Sequence, residues 1–283
     1  MISLGLIGYP LEHSLSPRLH ATALQTCGLQ GEYRLYPVSP EDKAGLAALM
    51  DQIRQGKIQG LNVTIPHKQS VMEFLDDLKP SARSIGAVNT VVRRYGKLWG
   101  ENTDSPGFVA DLGRSGADLF QVKKAIVLGA GGAARAVVYG LLNVGWSVTL
   151  AVRRADESQA DQLISSMRSI GSGRSMAAVL LEADNLEPCL EEVSLVVNAT
   201  PLGMFPAIGN SPWPKGLRLP HNAVIYDLVY NPRETAFLHQ ARQEGLRSVS
   251  GIGMLVEQAA LSFEIWTGVS PAREAMLSVV EVQ

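Results

Sequence analysis

The sequence predicts an α/β protein in two parts, an N-terminal α/β domain and a Rossmann-type dinucleotide-binding domain, followed by a helical tail. Over the first hundred residues, short β-branched runs alternate with stretches of helical period, as βα units do. Further on, the apolar run Ala125-Ile126-Val127-Leu128 leads directly into Gly129-Ala130-Gly131-Gly132-Ala133-Ala134, the strand-turn-helix context of a dinucleotide fingerprint. Finally, 283 residues with 46% hydrophobic and 18% charged side chains suffice for two globular cores.

In chain order, strands are expected at 2–8, 31–38, 58–64 and 88–94, in a largely parallel sheet. Between them, Ser16-Pro17 reads as the N-cap and first position of a helix ending near Cys27, with Gly28 as its stop. Ser39-Pro40 reads the same way for a helix ending near Gly56. A helix from Asp104 through Leu112 follows, within a 100–122 stretch that crosses between domains. The second series runs from the strand at 125–128 to a helix through Asn143 and a strand at 147–152. It continues with a helix near 156–170, a Gly171-Ser172-Gly173 break, and strands near 176–180, 193–198 and 223–228. A helical tail at 253–281 closes the chain, with Phe263 and Trp266 on one apolar face.

Composition narrows the partners. A formal net charge of −2, with basic residues scattered, gives no electrostatic reason to expect nucleic acid or an anionic membrane surface, and no apolar run suits a membrane span. The N-terminus enters its first strand without a basic leader or cleavage pattern. Two cysteines far apart, Cys27 and Cys189, suit a reducing compartment, so the cytoplasm is the expected location. The five histidines form no ligand-like cluster, and no metal is expected.

The fingerprint glycines have separate tasks. Gly129 permits the tight turn, Gly131 lets backbone approach a pyrophosphate, and the helix N-terminus offers free N–H groups to that anion. At the end of the next strand, where an NAD site presents a carboxylate to the ribose, the sequence reads Val152-Arg153-Arg154. Two guanidinium groups favour NADP, Arg153 forking onto the extra phosphate and Arg154 stacking on adenine or adding a contact. Asp156 and Glu157 follow closely and leave NAD use open.

Two further motifs precede the fingerprint. Asn62-Val63-Thr64-Ile65-Pro66-His67-Lys68 and Gly100-Glu101-Asn102-Thr103-Asp104 supply a lysine and an aspartate. Beside a hydride carrier, these meet the need of carbonyl reduction, in which oxygen gains a proton while carbon gains a hydride. Lys68 is the first choice for proton donor and acceptor, and Asp104 would orient it and could share the proton path, the two roles not being separable from sequence. Just past the first strand, Ser14 and Ser16 place two hydroxyls at a helix mouth, a good carboxylate binder.

Taken together, the chain resembles the shikimate dehydrogenase family. The resemblance rests on Gly8-x-Pro10-x-x-His13-Ser14-x-Ser16-Pro17, Asn62-Val63-Thr64-x-Pro66-x-Lys68, Gly86-Ala87-Val88-Asn89-Thr90 and Asn102-Thr103-Asp104-x-x-Gly107. It continues through the glycine turn, Asn198-Ala199-Thr200-Pro201-Leu202-Gly203-Met204, Asp227-Leu228-Val229-Tyr230-Asn231-Pro232 and Gly251-x-Gly253-Met254-Leu255-Val256-x-Gln258, nearly the full length. What it implies is a substrate domain at 1–103, an NADP-binding domain at 104–250, and C-terminal helices at 251–283 that pack back on the first, with the active site in the cleft between domains. It further implies reversible NADP-dependent reduction of 3-dehydroshikimate to shikimate, a step in aromatic amino acid biosynthesis. Ser14 and Ser16 would hold the carboxylate; Thr64, Lys68, Asn89, Asp104 and Gln258 would line the ring, with Tyr230 nearby. Gly129, Ala130, Gly131, Gly132, Ala133, Arg153, Arg154, Thr200, Leu228 and Gly251 would meet the cofactor. Expected partners are the small substrate and, as a candidate, a second copy in a homodimer.

Within the resemblance, Ser14 and Ser16 together argue for shikimate over quinate, since quinate-preferring relatives often carry threonine in place of the second serine. Ala21 stands after His20 where the family commonly has Asn, and Val152 and Arg154 flank Arg153 where Asn-Arg-Thr is common. The alternatives carried forward are a quinate/shikimate dehydrogenase using NAD or either cofactor, and a non-catalytic nucleotide-sensing regulator.

Overall fold

The computed structural model describes residues 1–116, 121–170 and 173–281, so of the expected Gly171-Ser172-Gly173 break only Gly173 is among the described residues. The chain forms two compact units, Met1–Gly107 with Val256–Gln283, and Phe108–Leu255. The divisions fall inside helices, after Gly107 and after Leu255, rather than at the expected 103/104 and 250/251.

Unit 1 opens with β1 (Ile2–Gly8), α1 (Ser16–Thr26), β2 (Gly31–Pro37), α2 (Lys43–Arg54) and β3 (Gly60–Val63). It continues with β4 (Asp77–Leu78), α3 (Pro80–Ile85), β5 (Thr90–Arg94), β6 (Lys97–Glu101) and the start of α4 (Asp104–Arg114). The sheet order is β2-β1-β3-β5-β6-β4. Pairing is parallel from β2 through β3, but β5 runs antiparallel to both β3 and β6, which corrects the expected largely parallel sheet. The β5–β6 reversal is local: Tyr95 and Gly96 both take positive φ, 52° and 78°, and turn the chain directly back with no crossover helix.

The expected serine caps are also corrected. Asp42, not Ser39, caps α2, its carboxylate accepting from Gly45 N at 2.8 Å; an anion there also meets the helix dipole. Ser16 is the first helical residue of α1 rather than its cap, and Ser14 Oγ accepts from Ser16 N at 3.3 Å.

The core of unit 1 packs Leu46, Leu49, Met50 and Ile53 of α2 against Ile7, Leu61, Val63 and Val91. The tail supplies α9 (Ile252–Thr267), which enters this unit from Val256, and α10 (Arg273–Glu281). Trp266 lies over Gly60, where a Cβ would come within 2.1 Å of its Nε1, and that nitrogen donates to Val91 O at 3.0 Å. Arg18 of α1 donates to the Val279 carbonyl of α10.

Unit 2 holds β7 (Lys124–Leu128), α5 (Gly132–Asn143), β8 (Ser147–Val152), α6 (Glu157–Met167), β9 (Met176–Leu180), α7 (Ala183–Leu186), β10 (Leu195–Asn198), β11 (Val224–Asp227), α8 (Ala236–Gln243) and β12 (Ser248–Ser250). All pairings are parallel in the order β12-β11-β10-β7-β8-β9, the doubly wound arrangement. Alternate residues of β7 serve two cores. Ala125 and Val127 join Val137, Leu141 and Trp146, whereas Ile126 and Leu128 join Phe237, Leu238 and Trp213. The strand order reverses between β7 and β10, so the crevice for a ligand opens at their C-terminal ends. Among the described residues no helix is long and apolar enough to cross a membrane.

Candidate active site

In unit 1 the functional side chains gather at the C-terminal ends of the parallel pair β1 and β3. Ile7 lies in register with Val63, and Thr64 N donates to Ile7 O at 2.8 Å. Gly8 makes room for Thr64: a Cβ there would come within 2.3 Å of Thr64 Cγ2. Beyond the strand, His67 is buried with Nε2 2.7 Å from Val38 O, and Lys68 O accepts from Val88 N at 2.7 Å. These contacts anchor the segment that carries Lys68.

Lys68 Nζ donates to Asp104 Oδ2 at 2.6 Å, and both side chains are largely enclosed, 15% and 6% exposed. Asp104 opens α4, where Asn102 Oδ1 accepts from Ser105 N at 3.2 Å. Its second oxygen accepts from Asn89 Nδ2 at 2.9 Å. The carboxylate therefore carries a compensating charge on one oxygen and a neutral donor on the other, which a buried acid requires. Asn89 Nδ2 also lies 3.4 Å from Gln258 Oε1 on α9, and Gly107 lets α4 approach the Gln258 backbone, where a Cβ would fall within 2.9 Å.

Unit 1 thus joins Lys68, Asn89, Asp104 and Gln258 in one network. Thr64 neighbours Gly8, while half-buried Ser14 follows on the loop beyond β1 and buried Ser16 opens α1. Tyr230 belongs to unit 2, half-buried three residues past β11.

In unit 2, Gly129 takes φ +103°, a backbone that side chains rarely adopt, and a Cβ would lie 3.0 Å from Thr200 Cγ2. Gly131 is different. Its φ is −73°, nothing stands within 4 Å of a built Cβ, and as N-cap of α5 it offers no side-chain cap. The space a side chain would fill is left open before the α5 N–H groups, which suits a pyrophosphate. Arg153 is 73% exposed, and its Nε donates to Asp156 Oδ2 at 2.7 Å. An arginine held through Nε presents its terminal nitrogens as a fork; Arg154 lies 4.0 Å from Glu182. Gly251 packs on Leu228, where a Cβ would come within 2.3 Å of the carbonyl oxygen. The residues present therefore fit a dinucleotide carrying an extra phosphate.

Sequence reasoning missed the support beneath this rim. Asp227, fully buried at the end of β11, accepts from Asn198 Nδ2 at 2.8 Å, Val229 N at 3.0 Å and Thr235 Oγ1 at 2.6 Å. Burial pushes its pKa up to about 6, with those three donors opposing. Asn198 in turn accepts from Thr200 N at 3.0 Å and Thr200 Oγ1 at 2.7 Å, so Asp227 braces the loop that holds Thr200 beside Gly129. The signal was an acid ending an otherwise apolar strand, Val224-Ile225-Tyr226-Asp227.

Comparison with known proteins supplies independent findings. Residues 6–91 match the family described as shikimate dehydrogenase substrate binding domain, and residues 251–281 the shikimate 5'-dehydrogenase C-terminal domain. The shikimate dehydrogenase (NADP(+)) of Salinibacter ruber is 42% identical over 265 residues, 93% of this chain and 90% of that protein. The crystal structure of shikimate 5-dehydrogenase from Thermus thermophilus, in complex with NADP(H) and shikimate, is similar at 36% identity and a TM-score of 0.84, covering 99% of each chain. That of Listeria monocytogenes, in complex with shikimate and NAD, is similar at 30% identity and a TM-score of 0.88, covering 99% of this chain and 96% of that one.

Proposed function

The chain belongs to the shikimate dehydrogenase family, and on that footing we propose that it reversibly reduces 3-dehydroshikimate to shikimate with NADP, in the pathway to the aromatic amino acids. One observation carries the chemistry: an enclosed lysine and aspartate 2.6 Å apart, tied through Asn89 into a cluster of short polar side chains.

NADP, when bound, supplies the hydride that reaches the carbonyl carbon in reduction and takes it back in oxidation. Lys68 Nζ gives a proton to the oxygen as its charge develops, and recovers one from the hydroxyl in the reverse direction. Asp104 holds the ammonium in place and receives a ring hydroxyl, while Asn89 fixes the carboxylate from the far side. Gln258 and Thr64 meet further hydroxyls, Ser14 and Ser16 donate to the substrate carboxylate, and Tyr230 completes the ring contacts. Toward the cofactor, Gly129 to Ala133 and the start of α5 hold the pyrophosphate. Arg153 forks onto the extra phosphate with Arg154 beside it, and Thr200, Leu228 and Gly251 border the nicotinamide side. The two free cysteines support a reducing, cytoplasmic location.

Initial rates with shikimate or quinate crossed with NADP or NAD test the reading. Fast reduction of NADP with shikimate alone is expected. Comparable rates with quinate or NAD would assign the chain to the dual-specificity branch, and no rate in any pairing would leave a nucleotide-sensing protein.

A further inference from the structure

Behind Asp104 lies a buried polar cluster, and it ends on α9. Ser262 is fully buried, four residues past Gln258 and so on the same helix face. Its Oγ lies 2.8 Å from Thr90 Oγ1, 3.0 Å from Thr103 Oγ1, and 2.9 Å from both Asn62 Nδ2 and the Gln258 carbonyl oxygen. A hydroxyl has one proton and two lone pairs, so at most three of these four contacts are hydrogen bonds at once, and they fill its whole capacity.

From Ser262 the path to the reacting groups is continuous. Asn89 Nδ2 donates to Thr103 Oγ1 at 2.8 Å and to Asp104 Oδ1 at 2.9 Å, while Asn89 Oδ1 accepts from Thr103 N at 2.7 Å and Thr90 Oγ1 at 3.0 Å. Both ends of the amide are thereby assigned, because the Thr103 N–H can only donate and a carboxylate can only accept. Thr103 Oγ1, having accepted from Asn89, has its own proton left for Ser262. Asn62 is steadied from behind by Tyr33, whose hydroxyl donates to Asn62 Oδ1 at 2.8 Å and whose ring stacks on His20 at 4.2 Å.

We propose that Ser262 is a positioning residue for the reaction: by holding the Thr103 hydroxyl that accepts from Asn89 Nδ2, it keeps the amide, whose orientation the Thr103 N–H sets, at the position that donates to Asp104, and so steadies the carboxylate to which Lys68 is paired. The inference rests on the dehydrogenase reading above. Without the Ser262 hydroxyl, Thr103 has only Thr90, 3.4 Å away, as an alternative partner in the cluster. Asn62 loses an acceptor at the same time, and the Thr103 hydroxyl that accepts from Asn89 Nδ2 is no longer held in place.

The experiment is a double-mutant cycle on kcat for shikimate with NADP. Ser262→Ala should lower kcat about tenfold with the KM for NADP unchanged, in line with small misplacement of a catalytic group. In an Asn89→Ala background the same substitution should lower kcat no further, since its route to Asp104 is gone. Thr103→Val, which keeps the side-chain shape, should repeat the loss and guards against a Ser262 variant that folds poorly. Ser262→Ala with wild-type kcat and only a lower Tm, or with its full effect retained in the Asn89→Ala background, would overturn the proposal. An inactive wild-type protein would instead overturn the dehydrogenase reading, so the two failures are told apart.

Discussion

Lys68 and Asp104 could be named from the sequence because carbonyl reduction demands a proton carrier and each lay in a short distinctive motif. What surrounds them could not. Asn62, Thr90, Thr103 and Ser262 meet only because β3, β5, α4 and α9 converge, and a small hydroxyl residue carries no periodic signal of its burial. Two buried titratable groups give a further residue-scale prediction. Burial drives the pKa of His20 in unit 1 from 6.5 down to about 3, opposed by Asn62. The folded state then binds fewer protons than the unfolded one, so this stability is present above about pH 6.5 and is lost as pH falls toward 3, on the order of 5 kcal/mol in all. Asp227 in unit 2 acts in the opposite sense: its pKa, raised from 3.8 to about 6, makes stability fall by about 3 kcal/mol as pH rises through that interval. Denaturant midpoints followed against pH should show His20→Phe flattening the acid-side loss and Asp227→Asn removing the opposing slope. Slopes unchanged by either substitution would contradict the assignment.

At the scale of elements, the strongly periodic segments were legible. The strands at 2–8, 31–38 and 147–152 and the glycine turn into α5 fall where the pattern places them. The short elements were not: β4, β6, α3, α8 and β12 went unseen. Lys97-Leu98-Trp99-Gly100-Glu101, for example, shows no alternation of polar and apolar residues and forms a strand because β5 turns back on it. The two fingerprint glycines, equivalent in a motif, differ in the structure and so in prediction. Gly129→Ala forces a side chain into positive φ against Thr200 and should destabilise unit 2 by about 1–3 kcal/mol. Gly131→Ala meets open space in an ordinary conformation, so it should fold normally yet weaken NADP binding roughly tenfold, near 1.4 kcal/mol. Thermal melts and titration calorimetry separate the two; equal loss of Tm in both variants would contradict the distinction.

For the whole molecule, the division of labour follows from where each chemistry sits in the chain. Unit 1 carries the Lys68–Asp104 pair proposed to move the proton, and unit 2 carries the strand reversal, the open helix terminus and the arginines proposed for a dinucleotide phosphate. The fold class was readable because βα rhythm and the glycine turn are local. The return of the tail to unit 1 was implied by the family resemblance and not by periodicity, because it depends on Trp266 finding Gly60 and on α10 packing against α1, contacts without sequence proximity. The central claim is that Lys68 moves the proton, and the direct test is the kcat of Lys68→Ala beside its dissociation constant for shikimate. The account predicts a fall in kcat of roughly a hundredfold or more, the usual weight of a general acid-base group, with shikimate affinity changed far less. A variant with near-normal kcat would contradict it.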